Sequence, residues 1–311
     1  MFRSTLLNKP LPRLIFCMLL LTTGCVLAFA PDTWLTMMAR AFMWQWTLLF
    51  ASLGLFVFFQ RTRAIGLCAA ACTLMSASQL DTVVPARATI DATADLRILH
   101  MNVLQPNDHF SRVIEQAIAV DADLIAVQEV DHRWAGALGA GFSAYPFRVI
   151  EPRSNCYGIA LFSRMPLIDA RVLELEGTPV IEASIAIGGE PVKFVTAHAT
   201  SPISRHHFRK RNRQLMALSD RLETSTSTIV AGDLNSVQWD DAYKRFCVRS
   251  GLRPVTRPEL RTWPAIGPIA LIPIDHFFLS KDLSCTSVRR IELPGSDHFG
   301  LIADINVHHA K

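Results

Sequence analysis

The chain has 311 residues, with 31 Lys or Arg against 27 Asp or Glu, and half of its residues are hydrophobic. Only 19% of the residues are charged, below the roughly 25% of an ordinary soluble domain, and the composition excludes disordered, collagen-like and coiled-coil chains. Residues 1–95 carry 7 basic and 4 acidic side chains, and the rest of the chain carries 24 and 23. No polybasic arm for nucleic acid therefore stands out.

Three stretches of the first third contain no charged residue, namely residues 14–30, 41–59 and 64–80. Each is close to the roughly 17–25 residues that cross a bilayer as a helix, so we predict three transmembrane helices. A buried core helix is the alternative for each stretch, and most of all for 64–80, because Ala, Cys, Ser and Thr dilute its apolar character. A signal peptide is a further alternative for the first stretch, since basic residues precede it.

Basic residues around the apolar stretches predict their orientation. Three of them precede the first stretch, Arg61 and Arg63 lie between the second and third, and Arg40 alone lies between the first and second. By the positive-inside rule, the N-terminus and residues 60–63 face the cytoplasm. We therefore predict a multi-pass protein of the bacterial inner membrane whose C-terminal domain is periplasmic. If 64–80 does not cross, the domain is cytoplasmic instead.

After a polar linker at residues 81–95, short β-branched runs alternate with helical patterns. The expected strands are residues 97–101, 124–127, 157–162, 180–187, 192–197, 228–231, 277–279, 286–291 and 301–307. The expected helices are residues 110–120, 131–138 and 205–223. Mixed αβ and ββ connections favour helices packed outside strongly β layers, so we expect residues 96–311 to form one catalytic or binding domain.

Polar side chains flank many of these strands, at the point where a strand ends or begins. They are Asn102, Glu129, His198, Asp233, Asn235, Asp275, Asp297 and His298. A single Asp or Asn at a strand end is commonly a turn residue. A full set of amides, carboxylates and imidazoles instead matches a hard-metal and phosphate site at one rim of the sheets.

Six short motifs contain or adjoin these residues, in the order LRILHMNV, DLIAVQEV, FVTAHATSP, IVAGDLNS, PIDHFFLS and GSDHFGLIADI. Each motif is weak alone, but the ordered set is specific. Residues 96–307 resemble the endonuclease/exonuclease/phosphatase superfamily, which includes DNase I, abasic-site endonucleases and neutral sphingomyelinases, and the apolar first third resembles its bacterial membrane-anchored branch. The resemblance implies an α+β fold, a four-layer α/β/β/α sandwich preceded by transmembrane helices, with the site at one end of two packed sheets.

The resemblance also implies a divalent metal, Mg²⁺ or Mn²⁺. Glu129 matches the metal-binding Glu of the QE motif. Asn102 matches a residue that holds the metal or a neighbouring carboxylate, and Asp297 matches a residue close to the metal. The alternative for Glu129 is an acid that stabilises the dipole of the helix expected at 131–138.

The remaining matched positions take catalytic roles by the same resemblance. Asp233 orients or deprotonates the attacking water, or protonates the leaving oxygen, and Asn235 donates to a phosphate oxygen. We expect an extended segment that puts both side chains on one side. His298 acts as a general base or a cationic donor and is oriented by Asp275, while His198 donates to the scissile phosphate.

Other histidines and a basic helix are assigned outside the site. His276 follows Asp275 on a strand and should point to the opposite face, and the surface histidines are His206, His207, His308 and His309. The basic residues of helix 205–223 are Arg205, Arg209, Lys210, Arg211 and Arg213. They form either a solvated face or an attractor for a phosphorylated substrate.

The motifs therefore predict a membrane-anchored, metal-dependent hydrolase of a phosphodiester bond, with no identifiable protein partner. Nucleic acid is one candidate substrate, although the near-neutral domain lacks a basic field for DNA. A phospholipid or sphingomyelin-type headgroup is the alternative, for a phosphodiesterase or phosphatase beside a bilayer. The third hypothesis is a non-catalytic, membrane-anchored binding protein. Such a protein would be expected to have other residues at some of the eight matched positions.

Overall fold

The computed structural model describes residues 9–59, 62–80, 94–222 and 226–307. Most of the expected linker and the pair His308 and His309 lie outside the described residues. The chain divides into two compact units. One comprises residues 1–82 together with 238–241, and the other comprises the remaining residues.

The first unit is helical. Its helices are α1 (Pro10–Phe29), α2 (Trp34–Ala41), α3 (Met43–Phe59) and α4 (Arg63–Leu80), so each predicted apolar stretch does form a helix. Thr33 begins α2 with a capping box, in which the side chains of Thr33 and Thr36 each accept a hydrogen bond from the other residue's backbone N–H. Such reciprocal caps satisfy backbone donors that a helix start leaves unpaired.

The prediction of three membrane spans is not confirmed. Among the described residues, α1 is the one helix that is long and apolar enough to cross a membrane by itself, with a mean hydropathy of 2.0. Helices α2 and α3 meet the same criterion only together, as one span bent by 65°. Helix α4 does not meet it, because small and polar side chains interrupt its apolar sequence. The helices therefore provide one candidate span, or at most two.

The second unit contains twelve strands and four helices among its described residues. The strands are β1 (Leu96–Asn102), β2 (Leu124–Gln128), β3 (Phe147–Glu151), β4 (Ile159–Ser163), β5 (Ile168–Leu175), β6 (Thr178–Ile187), β7 (Glu190–Ala197), β8 (Thr228–Asp233), β9 (Arg253–Pro254), β10 (Asp275–Leu279), β11 (Leu283–Ile291) and β12 (Gly300–Val307). The helices are α5 (Phe110–Ala119), α6 (His132–Gly141), α7 (Arg205–Arg221) and α8 (Asp241–Ser250).

These strands form two six-stranded sheets of similar topology. The first sheet has the order β11-β12-β1-β2-β4-β3, and the second has the order β5-β6-β7-β8-β10-β9. Each contains one parallel pair joined through a helix, β1 with β2 through α5 and β7 with β8 through α7. Strand β12 runs antiparallel to β1, and β10 runs antiparallel to β8. Within each sheet, the carboxyl ends of the parallel pair therefore meet the start of an antiparallel neighbour.

Alternation along the strands produces the layers. On β1, Ile98 enters the core between the two sheets, whereas Leu99 packs outward beneath α5 and α6. On β10, Phe277 enters the same inter-sheet core, whereas Phe278 packs outward beneath α7 and α8. Since successive strand side chains point to opposite faces, each sheet is apolar on both faces and is covered by helices on one. The predicted four-layer α/β/β/α sandwich is confirmed.

The sheets are joined closely at Gln128, the last residue of β2. Its Oε1 accepts from the Asp233 backbone N–H at 2.9 Å, and its Nε2 donates to the Ala197 carbonyl at 2.6 Å. Gly232 permits this approach, because a Cβ there would lie 2.9 Å from Gln128 Nε2 and 2.0 Å from the Ala197 carbonyl oxygen on the neighbouring strand β7. The fully buried amide thus bonds β2 of one sheet to β7 and β8 of the other.

Replacing Gly232 with Ala should strongly destabilise the domain, since the backbone contact cannot relax as a flexible side chain would. We expect a loss at or above the top of the roughly 1–3 kcal/mol range for overpacked cores, measured by chemical denaturation. Gly136→Ala is the matched control, because Gly136 lies in α6 and a Cβ added there would meet no atom within 4 Å. That variant should gain about 1 kcal/mol, and equal effects of the two substitutions would contradict the prediction.

Candidate active site

The inter-sheet layer changes from apolar to polar at one end. On β1, the inward positions run from Leu96 and Ile98 to His100 and Asn102. On β8, they run from Ile229 to Asp233. Because alternation keeps residues two apart on the same face, the side chains that close this end point toward the opposite sheet. The candidate site is this polar end.

Asn102 lies at the centre of the site. Its Nδ2 donates to Glu129 Oε1 at 3.1 Å and to Asp233 Oδ2 at 3.2 Å, and it lies 3.4 Å from His298 Nε2. Its Oδ1 accepts from the Leu104 backbone N–H at 3.1 Å. In this orientation Asn102 holds the neighbouring carboxylates, which is the second of the two roles expected for it.

Glu129 follows β2 in the left-handed backbone conformation, with φ of 66°. This conformation is uncommon for a residue with a side chain. Its Oε2 accepts from the Gln105 backbone N–H at 2.9 Å. Burial raises the pKa of Glu129, and the nearby Asp297 carboxylate adds to the rise. The alternative role for Glu129 at the helix start falls to Asp131, whose side chain caps α6 through the Trp134 backbone N–H.

Asp275, the first residue of β10, lies between two imidazoles. His298 Nδ1 lies 2.9 Å from Asp275 Oδ2, and His100 Nε2 lies 2.7 Å from Asp275 Oδ1. Burial alone would raise the pKa of Asp275, but the charge of His298 and the hydrogen bonds from both rings hold it well below its usual value. The predicted pairing of Asp275 with His298 is present, and His100 is a partner that the motifs did not single out.

His298 is expected to be cationic at neutral pH. Burial opposes its charge, but Asp275, followed by Asp233 and Asp297, raises the pKa of His298 to about 10. With Nδ1 occupied by Asp275, its Nε2 faces the site and lies 3.7 Å from Asp233 Oδ2. A buried imidazolium held by a carboxylate is suited to stabilise negative charge on a phosphate.

The pKa values of Asp233 and His198 both shift so that the neutral form of the side chain is favoured. Burial, followed by the charge of Asp275, raises the pKa of Asp233 well above its usual value. Burial, followed by the charge of His298, lowers the pKa of His198 to about 3. His198 Nε2 lies 3.5 Å from Asp233 Oδ2. The site therefore combines a neutral imidazole, a cationic imidazole and a carboxyl group that readily holds a proton.

The expectation of an extended segment at residues 233–235 is wrong. Strand β8 ends at Asp233, and Asn235 adopts a left-handed conformation with φ of 48°. Asp233 Oδ1 accepts from the Asn235 backbone N–H at 2.8 Å, which forms an Asx turn. Asn235 Nδ2 donates to the Ala199 carbonyl at 2.9 Å, and Arg211 donates to the Asn235 carbonyl at 2.9 Å. The turn, rather than strand alternation, therefore places Asn235 beside Asp233.

Asp297 borders the site on the loop before β12. Its Oδ2 accepts from Trp263 Nε1 at 2.8 Å. Its Oδ1 is buried, with no hydrogen-bond partner in the described part of the chain, and lies 4.0 Å from His298 Nε2. A buried carboxylate oxygen without a donor is costly, so a cation beside it would be stabilising.

The remaining histidines behave as the sequence indicates where they are described. His276 points to the other face of β10, where its Nε2 bonds to the Ser236 carbonyl at 2.7 Å. His206 is exposed and His207 is half-buried on α7. On the same helix Arg211 is fully buried, whereas Arg209 is exposed. Helix α7 is therefore not a uniformly solvated basic face.

The residues present fit a divalent cation. Glu129 and Asp297 are carboxylates that raise each other's energy, and one oxygen of Asp297 lacks a donor among the described residues. Hard oxygen ligands of this kind are those that Mg²⁺ and Mn²⁺ prefer. Asp233, Asp275 and His298 also bring ligand atoms within 4.8 Å of one another. Both oxygens of Asp275 are already bonded to imidazoles, however, so this second cluster is better suited to hold protons than a metal.

A profile of the Endonuclease/Exonuclease/phosphatase family matches residues 99–298. The chain therefore belongs to this family, whose enzymes hydrolyse phosphodiester bonds and typically depend on divalent metals. The matched range includes all eight polar residues that the motifs singled out. A search of curated proteins finds no match.

Solved structures show the same fold at low sequence identity. The human Nocturnin catalytic domain with bound sulfate is 20% identical, with a TM-score of 0.59 over 70% of this chain and 96% of that chain. A family protein from Beutenbergia cavernae is 17% identical, with a TM-score of 0.57 over 69% and 72%. D. rerio TDP2 in complex with a single-stranded DNA product is 16% identical, with a TM-score of 0.56 over 68% and 99%.

The charge on His298 predicts a pH-dependent contribution to stability. Since its folded pKa is raised from 6.5 to about 10, its stabilisation is complete below pH 6.5 and is lost as the pH rises through 10. In EDTA, the difference in free energy of unfolding between wild type and His298→Gln should therefore shrink from pH 6.5 to pH 10. Chemical denaturation at several pH values measures it.

His276→Gln is the control for this experiment. Burial lowers the pKa of His276 to about 4, so this ring is neutral throughout that range. Its difference from wild type should stay constant with pH. A constant difference for His298→Gln as well would show that His298 is not held as a cation.

Proposed function

We propose that this protein is a membrane-anchored, divalent-metal-dependent phosphoesterase that hydrolyses a phosphodiester bond. The observation that carries the proposal is the His298 imidazolium. It is backed by the buried Asp275 carboxylate and faces Asp233 at the same sheet end as Glu129. Membership of a family of phosphodiester hydrolases supports the same reaction.

Glu129 and Asp297 are the residues that would hold the metal, and Asn102 would keep Glu129 in place through its 3.1 Å hydrogen bond. When bound, Mg²⁺ or Mn²⁺ supplies Lewis-acid polarisation of a non-bridging phosphate oxygen. The coordinating carboxylates are then no longer uncompensated negative charges, which removes the cost described above.

The chain's own donors act on the phosphate. His298 Nε2 donates to a phosphate oxygen and, as a cation, neutralises charge that develops in the transition state. Neutral His198 donates a further hydrogen bond, and Asn235 has a second amide N–H beyond the one bonded to Ala199. Asp233 takes up the proton of the attacking water, a role that suits a carboxyl group with a raised pKa.

Nucleic acid is the first substrate to test, because D. rerio TDP2 in complex with single-stranded DNA shares the fold over nearly its whole chain. A phospholipid headgroup is the second candidate, favoured by α1, which is apolar enough to anchor the protein in a bilayer. Full-length protein in detergent should be assayed with Mg²⁺ or Mn²⁺ on plasmid DNA, RNA, sphingomyelin, phosphatidylinositol phosphates and a chromogenic phosphodiester. If the protein hydrolyses none of these substrates, the proposal is contradicted.

Glu129→Gln should reduce activity at least about a hundredfold, because an amide cannot replace the anionic ligand. The metal-free variant should be no less stable than wild type, since the substitution removes a desolvated carboxylate that faces Asp297. Added Mg²⁺ should raise the melting temperature of wild type by binding the folded state and should raise that of the variant much less. Turnover and thermal melts in a Mg²⁺ titration measure these effects.

Glu115→Gln is the control, because it removes the same charge from an exposed position on α5. Its turnover and its response to Mg²⁺ should match those of wild type. Undiminished wild-type activity in EDTA would contradict the metal-dependent mechanism.

We also propose that the protein is multi-pass and that its catalytic domain is periplasmic, since basic residues precede α1, Arg61 lies between α3 and α4, and Arg63 begins α4. Reporters should be fused after residue 60 and after residue 311. Three spans predict a green fluorescent protein that is bright at residue 60 and dark at residue 311, with alkaline phosphatase active only at residue 311. Green fluorescence at both positions would mean that the chain has two spans. Green fluorescence at neither position would mean that it has one span.

A further inference from the structure

We propose that His100 is a positioning residue that holds Asp275 in the orientation needed by His298. The inference deepens the proposed function, because it concerns the same site, and no motif or comparison assigns a role to His100. The juxtaposition is a run of three fully or almost fully buried side chains, His100, Asp275 and His298, drawn from β1, β10 and the loop before β12.

The position of His100 follows from strand alternation. It lies on the inward face of β1, two residues before Asn102, and its side chain is fully buried. Its ring meets the Phe277 ring edge-on, with centroids 6.5 Å apart and an interplanar angle of 90°. This contact holds the plane of the ring, and the hydrogen bond to Asp275 sets the direction of its Nε2.

The chemistry of the two groups shows which of them carries the proton between His100 and Asp275. Asp275 is a carboxylate and can only accept, so the proton between the two groups belongs to His100 Nε2. His100 Nδ1 has no hydrogen-bond partner among the described residues, so the bond to Asp275 is the one side-chain hydrogen bond that the ring makes there. The contact is therefore a charge-assisted hydrogen bond between fully buried groups.

This bond fixes the orientation of the Asp275 carboxylate. Oδ1 accepts from His100 Nε2, and Oδ2 is the oxygen that meets His298 Nδ1 at 2.9 Å. Without His100, Oδ1 would be a buried acceptor without a donor. The carboxylate would then rotate until both of its oxygens share the His298 Nδ1–H. His298 Nε2 would thereby lose its fixed direction toward the phosphate. The expected defect is thus in the chemical step and not in substrate binding.

Two substitutions separate positioning from packing. His100→Gln keeps a side-chain N–H donor in place of Nε2, whereas His100→Phe keeps a ring and removes the donor. In full-length protein with the best phosphodiester found, His100→Phe should lower kcat at least about tenfold with KM within about twofold. His100→Gln should stay within about threefold of wild-type kcat.

Tyr145→Phe is the control for stability. It removes a fully buried hydrogen bond, from the Tyr145 hydroxyl to the Ala122 carbonyl at 2.8 Å, in the outer layer of the first sheet. This variant should be destabilised as His100→Phe is, yet keep wild-type kcat. Equal losses of kcat in His100→Phe and His100→Gln, or no loss in either, would overturn the positioning role.

A readout without turnover separates this proposal from the proposed function. Full-length protein labelled with ¹⁵N-histidine should show downfield imidazole N–H proton resonances from His298 Nδ1–H and His100 Nε2–H, which both bond to a carboxylate, beside that of His276 Nε2–H on the Ser236 carbonyl. His100→Gln should keep the His298 resonance at its wild-type position, and His100→Phe should shift or broaden it. If wild type hydrolyses no phosphodiester, the proposed function fails, while this spectrum still tests the positioning. An unchanged His298 resonance in His100→Phe would overturn it.

Discussion

The candidate site depends on how closely the two sheets approach at one end of the sandwich. Gln128 of the first sheet bonds to two backbone groups of the second sheet, the Asp233 N–H and the Ala197 carbonyl, and Gly232 leaves room for it. Two contacts of the site then cross between the sheets, from Asn102 to Asp233 and from His100 to Asp275.

Burial makes these polar contacts strong and also costly. Asp275 is stabilised as a carboxylate because two imidazoles bond to it, and His298 is stabilised as a cation because carboxylates surround it. Glu129 and Asp297 share the charge of His298 with Asp275 and Asp233, and burial still raises the pKa of Glu129. The site is therefore balanced on its His298 side and deficient in positive charge on its Glu129 side, which is where a divalent cation would reduce the free energy most.

The two sides divide the chemistry of a phosphodiester hydrolase. The Glu129 side matches the needs of a cation that polarises a phosphate oxygen, and the His298 side supplies donors and a group that holds a proton. The arrangement agrees with a family of metal-dependent hydrolases. Among the described residues of the first unit, only α1 meets the criterion for crossing a membrane alone.

Much of the catalytic domain was determined by the sequence alone. Apolar alternation located most of the strands to within a few residues, and the motif order brought together the eight polar residues that the fold places at one end. Strands β3, β5 and β9 and helix α8 were missed. Most of β5 and the start of β3 are exposed, so these edge strands lack the buried alternation that identifies a strand.

Only the tertiary structure decided how the site residues are used. The turn at Asn235 and the left-handed backbone of Glu129 depend on local hydrogen bonds that replace strand geometry. The role of His100 could not be read from β1, because its partner Asp275 lies 175 residues later in the chain. A sequence pattern shows which face of a strand a residue occupies, but the partner it meets across the core is set by how the two sheets pack.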